Sequence, residues 1–188
     1  MSKLRGFGFL LLFLGTSAVP AAIVSAAPAP IDCGVLVDSW ITDTEFNPLD
    51  CDFKVLTDRD GCVITTNPGG FYYNILVEAL NDIPDLEIAA TIPADFSLWG
   101  NNPVHVYINT FDINGPDDND AVYAGDDLSF GPVAVSAGDQ IFMTIHVRYT
   151  AGCISEGYLP KTYTFSALVT GTGFSESTSA SITGVLKK

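Results

Sequence analysis

Alternation of apolar and polar residues recurs along most of this chain, and it restricts the fold more than any other feature. The clearest example runs from Phe71 to Ala79, where the apolar positions on one face are Tyr73, Ile75, Val77 and Ala79. A period of two residues is typical of a β-strand with one buried side. The segment from Ile141 to Tyr149 shows the same alternation, so we predict that both are core strands.

Weaker segments of the same kind fill the rest of the chain, separated by turn-forming residues. They are residues 52–56, 63–66, 86–92, 104–110, 133–135, 163–169 and 178–185. Glycine and proline recur too often for long helices, with 17 and 11 copies. The pattern predicts an all-β protein of about seven to nine strands, either a two-sheet antiparallel sandwich or a closed barrel. The short, half-apolar strands favour the sandwich.

The N-terminus has the order of a secretory signal peptide. Lys3 and Arg5 precede an uncharged run over residues 6–24, and small residues follow up to Ala26. We expect cleavage after Ala26 and export to the medium or the cell surface. The alternative is a retained membrane anchor, which the glycines and the proline of the run disfavour. The predicted organisation is a signal peptide over residues 1–26, an extended segment over 27–50 and one domain over 51–188, with no membrane span after cleavage.

The charge balance limits the partners. The chain has 22 acidic and 8 basic residues, and its net charge is −14. Such a surface repels phosphate backbones, which disfavours nucleic acids and anionic membranes as partners. Solubility in an exported protein is a sufficient explanation for the acidity.

Four cysteines lie after the predicted signal peptide: Cys33, Cys51, Cys62 and Cys153. An even number in an exported chain predicts two disulfides, and four cysteines allow three pairings. We favour Cys33 with Cys51 and Cys62 with Cys153, because the second bond ties the first strand region to a late loop. A zinc site is disfavoured, since no two cysteines have the Cys-x-x-Cys spacing.

An acidic stretch within residues 111–130 is the candidate metal site, and we predict that the whole stretch is a loop. Its oxygen donors are Asp112, Asn114, Asp117, Asp118 and Asp120, which are the ligand types that calcium prefers. No helices flank it, so it is not a helix-loop-helix calcium site. Calcium binding and a solvated acidic loop are both open, and no other cofactor is expected.

Four segments carry a resemblance to a known family. They are 73–81, led by a tyrosine and ending in Asn81, then 88–93, then 135–147 with its Ala-Gly turn, then 165–169. In strand and turn order they resemble the domain-of-unknown-function-eleven repeats, immunoglobulin-like sandwiches of bacterial and archaeal surface proteins. The resemblance covers about residues 52–186 in a single copy. It departs at Ala90 and Phe165, where the family usually has aspartate and asparagine.

The resemblance implies a secreted, non-enzymatic structural or adhesive protein. Its partners would be other surface proteins or copies of itself, and residues 33–50 could pair with the sheet edge of a neighbour. No catalytic motif opposes this expectation, because His105 and His146 lie on outward faces of different strands.

The alternative function is an extracellular ligand-binding module, for calcium through the acidic loop or for carbohydrate through Trp99 and neighbouring aromatic residues. Five aromatic residues are predicted to face outward: Tyr72, Trp99, Tyr107, Phe142 and Phe174. A contiguous aromatic patch would mark a partner surface, whereas scattered rings would carry no function.

Overall fold

The structure, a computed structural model, describes residues 34–49, 52–113, 121–124 and 127–187. These ranges form thirteen β-strands in two sheets and contain no helix. Accordingly, the described ranges include no helix long and apolar enough to cross a membrane. The predicted signal peptide, Cys33, Cys51 and residues 114–120 lie outside the described residues.

The first sheet has six strands. In chain order these are β1 (Val35–Thr42), β4 (Phe71–Ala79), β6 (Phe96–Leu98), β7 (Val104–Ile108), β8 (Phe111–Asp112) and β11 (Gln140–Tyr149). Their spatial order is β1-β4-β11-β7-β8, with β6 also paired to β11. The two segments with the clearest alternation, β4 and β11, are therefore neighbours inside this sheet, as expected for core strands.

The second sheet has seven strands. They are β2 (Asp52–Thr57), β3 (Val63–Asn67), β5 (Ile83–Thr91), β9 (Val122–Ala124), β10 (Asp127–Val135), β12 (Lys161–Gly171) and β13 (Phe174–Lys187). Their spatial order is β3-β2-β13-β12-β5-β10-β9. The pair of β2 and β13 is parallel, while the other pairs of both sheets are antiparallel.

The core lies between the sheets. The predicted inward residues of β4 are buried, with Tyr73, Ile75 and Val77 fully inaccessible to solvent. Rings from both sheets meet beside them, including Phe53 against Phe71 at 5.2 Å between centroids. Each fully buried aliphatic or aromatic side chain of this kind contributes about 1.5–3 kcal/mol. The structure thus confirms the two-sheet sandwich.

The prediction that all of residues 111–130 form a loop is wrong. Residues 127–130 begin β10 and pair with β5, the first three of them also pair with β9, and Leu128 and Phe130 are buried. Acidic neighbours conceal this short apolar alternation in the sequence. The strand total exceeds the expected number partly because β6, β8 and β9 have three residues or fewer.

A disulfide joins Cys62 to Cys153, the pairing favoured from the sequence. The two cysteines also form an isolated β-bridge, and the Ile154 N–H donates to the Gly61 carbonyl at 2.9 Å. The bond thereby fastens the turn between β2 and β3 to the loop after β11. The predicted bond between Cys33 and Cys51 falls outside the described residues and stays a prediction.

The N-terminal segment forms an edge strand of the same chain. β1 pairs antiparallel with β4 from Val35, opposite Ala79, to Thr42, opposite Tyr72. The following loop then turns back along the outer edge of β1, where the Leu49 N–H donates to the Ile41 carbonyl at 3.0 Å. The loop therefore covers one end of the open edge.

Candidate functional site

The outward faces of the two sheets carry different sets of side chains. The second sheet presents a hydroxyl ladder across β12 and β13, in which Thr164 lies 2.9 Å from Ser181 and Thr162 lies 3.1 Å from Thr183. The first sheet presents instead a set of partly or fully exposed aromatic side chains, here called the aromatic face: Trp40, Phe46, Tyr72, Trp99, Tyr107 and Phe142.

The first aromatic row crosses β1, β11 and β7. Trp40 and Phe142 have ring centroids 5.9 Å apart and planes inclined by 21°. Tyr107 lies directly opposite Phe142 in the sheet register, with centroids 6.1 Å apart. β1 and β11 lie on either side of β4, and β7 is the next strand after β11. The three side chains meet because they point to the same side of this sheet.

The second aromatic row contains a histidine. Phe46 stacks on Tyr72 with centroids 4.7 Å apart, and Tyr72 stacks on His146 at 4.4 Å. Trp99 closes the row at 4.8 Å from His146. Burial lowers the pKa of His146 below its ordinary value of 6.5, which favours the neutral imidazole.

A glycine makes room for Trp99. A Cβ atom at Gly70 would lie 2.3 Å from two ring carbons of Trp99. The Trp99 N–H also donates to the His146 carbonyl at 2.9 Å, which fixes the backbone beside β11. The Trp99 ring can therefore pack against the chain just before β4, because Gly70 has no side chain.

A polar row separates the two aromatic rows. Asn74 on β4 lies directly opposite Thr144 on β11, and their side chains are 1% and 5% exposed. The Asn74 amide donates to the Thr42 hydroxyl and to the Tyr72 carbonyl, both at 3.3 Å. Among the described residues, the Asn74 Oδ1 and Thr144 Oγ1 atoms have no hydrogen-bond partner.

A groove of about 500 Å³ opens on this face. Trp40, Phe46 and Phe142 contribute its aromatic lining, and Thr110, Gln140 and Thr144 contribute polar groups. None of the residues that line it is charged.

Two residues at the groove have left-handed backbone conformations. Phe46 has a φ of 62° and Thr110 has a φ of 73°. Such values are uncommon for residues other than glycine, and they are genuinely rare for a β-branched threonine. They hold the Phe46 ring over Tyr72 and set Thr110 in the turn between β7 and β8.

Four of the five aromatic residues predicted to face outward belong to the aromatic face, and Phe174 does not. The ring of Phe174 packs against Gly34 and Gly171, where an added Cβ would lie 2.7 and 2.5 Å away. Sequence reasoning missed Trp40 and Phe46. A signal for Trp40 exists, since it precedes the buried Ile41 and alternation along β1 therefore directs its ring outward.

The acidic loop is mostly outside the described residues, so the calcium prediction stays open. Of its five donor residues only Asp112 is described, and its Oδ2 atom lies 3.7 Å from His105 Nδ1. Within the described ranges, no three His, Cys, Asp or Glu side chains are grouped so that they could hold a metal ion.

The fold and this face define a class of protein, an immunoglobulin-like β-sandwich with one aromatic outward face. No protein-family model matches the sequence, and no curated protein matches it. Similar solved structures exist. BcpA, the major pilin subunit of Bacillus cereus, is 11% identical with a TM-score of 0.51, over 81% of this chain and 40% of that chain.

A second similar structure is the N-terminal domain of the Streptococcus gordonii adhesin Sgo0707. It is 9% identical with a TM-score of 0.51, over 82% of this chain and 33% of that chain. The present chain therefore spans well under half of either structure. Likeness at such low identity shows the shared sandwich fold alone.

Proposed function

We propose that this protein is an exported, non-enzymatic structural or adhesive protein of the cell surface that acts by contact through its aromatic face. The observation that carries the proposal is the aromatic face itself. Four of its six aromatic side chains belong to strands of the first sheet, and Phe46 and Trp99 pack over the same face from loops. The hydroxyl ladder lies on β12 and β13 of the other sheet. Aromatic residues grouped on one surface are typical of partner-binding sites.

The fold supports the same proposal at a coarser level. The two similar structures described above are a pilin subunit and an adhesin domain by name. The predicted signal peptide over residues 1–26 would take the chain to the same kind of location. Export and surface attachment stay predictions.

Copies of the same chain are the first partner to test. A net charge of −14 opposes self-association at low ionic strength, and salt screens that repulsion over a Debye length of about 8 Å at physiological strength. Apolar contacts between aromatic faces do not depend on charge. Association should therefore strengthen as salt is raised.

Sedimentation velocity on residues 27–188 would test this proposal. Phe46→Asn removes the ring, which is 57% exposed, and asparagine tolerates the left-handed backbone of this position. We expect at least a tenfold weaker association, about 1.4 kcal/mol. The matched control is Ile64→Asn on the second sheet, where the side chain is 68% exposed, and it should associate normally. A wild-type chain that stays monomeric at high salt would contradict self-association.

The strand-pairing version of this proposal has its own test, because β1 is paired with β4 of its own chain. Val37 lies directly opposite Val77 in that pair. Replacing both with cysteine should lock β1 in place through a disulfide. If association survives the lock, the aromatic face carries it. If association is lost until the lock is reduced, β1 is exchanged between copies.

A further inference from the structure

The groove on the aromatic face is apolar along its length and has acidic residues beside one end. We infer that it binds the N-terminus of a second copy of the chain, residues 27–30, which the predicted cleavage after Ala26 would expose. This inference rests on the proposed contact function of the aromatic face, and it names the segment of the partner that enters the groove.

The lining of the groove is a row of aromatic rings. Trp40 and Phe142 stack on each other with centroids 5.9 Å apart, and Tyr107 follows Phe142 at 6.1 Å. Phe46 and Leu76 add further apolar surface. Grooves lined by aromatic side chains are the usual docking sites for proline-rich segments in the polyproline II conformation.

The N-terminal segment has the matching sequence. Residues 27–30 are Ala-Pro-Ala-Pro, and residues 27–31 include no charged side chain. Prolines at alternate positions favour a polyproline II helix, which is extended and has no internal hydrogen bonds. Because this conformation is largely fixed before binding, docking costs little conformational entropy. Proline also lacks a backbone N–H, so the segment suits the face of a sheet better than its edge.

The length of the segment agrees with the length of the groove. The lining extends along β11 from Gln140 to Thr144, which is about 13 Å at about 3.3 Å per residue. Four residues of polyproline II span about 12 Å. Residues 27–30 would therefore occupy the groove from one end to the other.

Two carboxylates set the direction of the segment. Glu78 lies directly opposite Gln140, at one end of the lining. Asp38 lies directly opposite Leu76, and alternation along β1 and β4 directs both acidic side chains outward, to the side of the groove. The amino group of Ala27 is positively charged at neutral pH once cleavage frees it. Capture of an N-terminal amine beside such carboxylates places Ala27 at the Gln140 end.

The direction excludes the segment of the same chain. With its amino group beside the carboxylates, the segment places Pro30 near Thr144, which is level with Trp40 in the sheet register. Trp40 is six residues along β1 from Gly34, a distance of about 20 Å. The four residues from Gly34 back to Pro30 reach at most about 14 Å. The occupant is therefore a second copy.

A peptide titration would test the inference. Trp40 and Trp99 are the two tryptophans, so Trp99→Phe leaves Trp40, which lines the groove, as the sole fluorescent reporter. This variant of residues 27–188, at a concentration too low for self-association, would be titrated with Ala-Pro-Ala-Pro-Ile-Asp-amide, the sequence of residues 27–32. We expect a saturable change with a dissociation constant below about 1 mM.

Two control peptides separate the contributions of proline and charge. Alanine in place of both prolines should weaken binding at least about fivefold, because the peptide is then no longer fixed in an extended form. Acetylation of the amino group should weaken binding about threefold to fivefold, as expected for loss of an exposed ion pair.

Substitutions in the protein test the same two contributions. Phe46→Asn should weaken all three peptides, since Phe46 lines the groove. Glu78→Gln should weaken the free-amine peptide and leave the acetylated peptide unchanged. Asp52→Asn, on the second sheet, removes the same charge and should bind both peptides as the parent does.

Three results would overturn the inference. The first is a free-amine peptide that gives no saturation up to about 10 mM. The second is an acetylated or all-alanine peptide that binds as tightly as the free-amine peptide. The third is a Phe46→Asn protein that binds the free-amine peptide as well as the parent.

Sedimentation velocity distinguishes this inference from the proposed function. The double variant Pro28→Ala, Pro30→Ala of residues 27–188 should associate more weakly than wild type. If it associates normally while Phe46→Asn does not, copies meet through their aromatic faces and the N-terminus is not the occupant. Peptide binding by a chain that stays monomeric at high salt keeps the groove as a site for such a terminus and removes self-association.

Discussion

Thr144 lies directly opposite Asn74, and each of these buried side chains holds an oxygen without a hydrogen-bond partner among the described residues. They occupy the middle of the aromatic face, between the row of Trp40 and Phe142 and the row of Tyr72 and His146. Folding alone would favour apolar residues at two such positions. A polar pair retained there at a cost in stability is the arrangement expected of a binding surface.

The first prediction concerns the stability of the free protein. Thr144→Val removes the unpaired hydroxyl and should raise the free energy of unfolding by about 1 kcal/mol, which is about 2–4 °C in Tm for a domain of this size. Thermal unfolding would measure it, and Thr144→Ser should show no gain. A less stable valine variant would indicate that a buried water bonds the hydroxyl.

The second prediction concerns Gly70. A methyl group there would overlap the Trp99 ring, so Gly70→Ala should displace the ring and cost about 1–3 kcal/mol. Gly69→Ala is the matched control, because no atom lies within 4 Å of an added Cβ at Gly69. Urea unfolding followed by tryptophan fluorescence would compare the two. Equal stabilities would mean that Trp99 is not held against β4 in solution.

The sequence predicts the central strands well because burial and alternation agree there. Every residue of Phe71 to Ala79 lies in β4, and the predicted inward side chains are buried. The other long strand predicted from alternation, 141–149, differs from β11 by one residue. Where every second residue of a segment is apolar and becomes buried, the period of two is sufficient to locate the strand and its inward face.

The aromatic face is less predictable, because it depends on which strands are neighbours. β1 and β7 are far apart in the chain, and they lie on either side of β4 and β11 only in the folded sheet. Phe46 belongs to a loop, so no periodicity marks it. Asn74 alternates with the inward Tyr73 and Ile75 and so faces outward, yet it is only 1% exposed. Sequence patterns report the side to which a residue points, and they do not report what covers that side.

The third prediction concerns the disulfide between Cys62 and Cys153. The bond closes a long loop, with a sequence separation of 91. In the chain-entropy account, a disulfide that closes a loop of this size stabilises the folded protein by about 4–5 kcal/mol. Replacing both cysteines with serine should therefore lower the midpoint of urea unfolding considerably without changing the fold. Reduction of the wild-type chain should lower the midpoint at least as far, because it also breaks the predicted bond between Cys33 and Cys51. A midpoint unaffected by the double substitution would show that the bond between Cys62 and Cys153 does not form in solution.

The last prediction concerns pH and the residues that join the two sheets near β6. Partial burial raises the pKa of Asp95, but hydrogen bonds from Tyr158 and Lys161 outweigh it and hold the pKa below its ordinary value of 3.8. The Lys161 Nζ atom lies 2.9 Å from the carboxylate, and its side chain is 42% exposed. A depressed pKa in the folded state contributes stability above the unfolded pKa, and this contribution is lost as the pH falls through the folded value.

Asp95→Asn should therefore destabilise the protein at pH 7 by about 1 kcal/mol, a value that allows for solvent screening of the exposed lysine. The difference from wild type should shrink below about pH 4 and vanish at lower pH, because the wild-type carboxyl is then protonated as well. Unfolding by urea at a series of pH values would measure it. Asp52→Asn, which replaces an exposed carboxylate on β2, is the control for the same change in net charge. If the difference in free energy of unfolding does not depend on pH, Asp95 stabilises the protein through packing and its charge contributes nothing measurable.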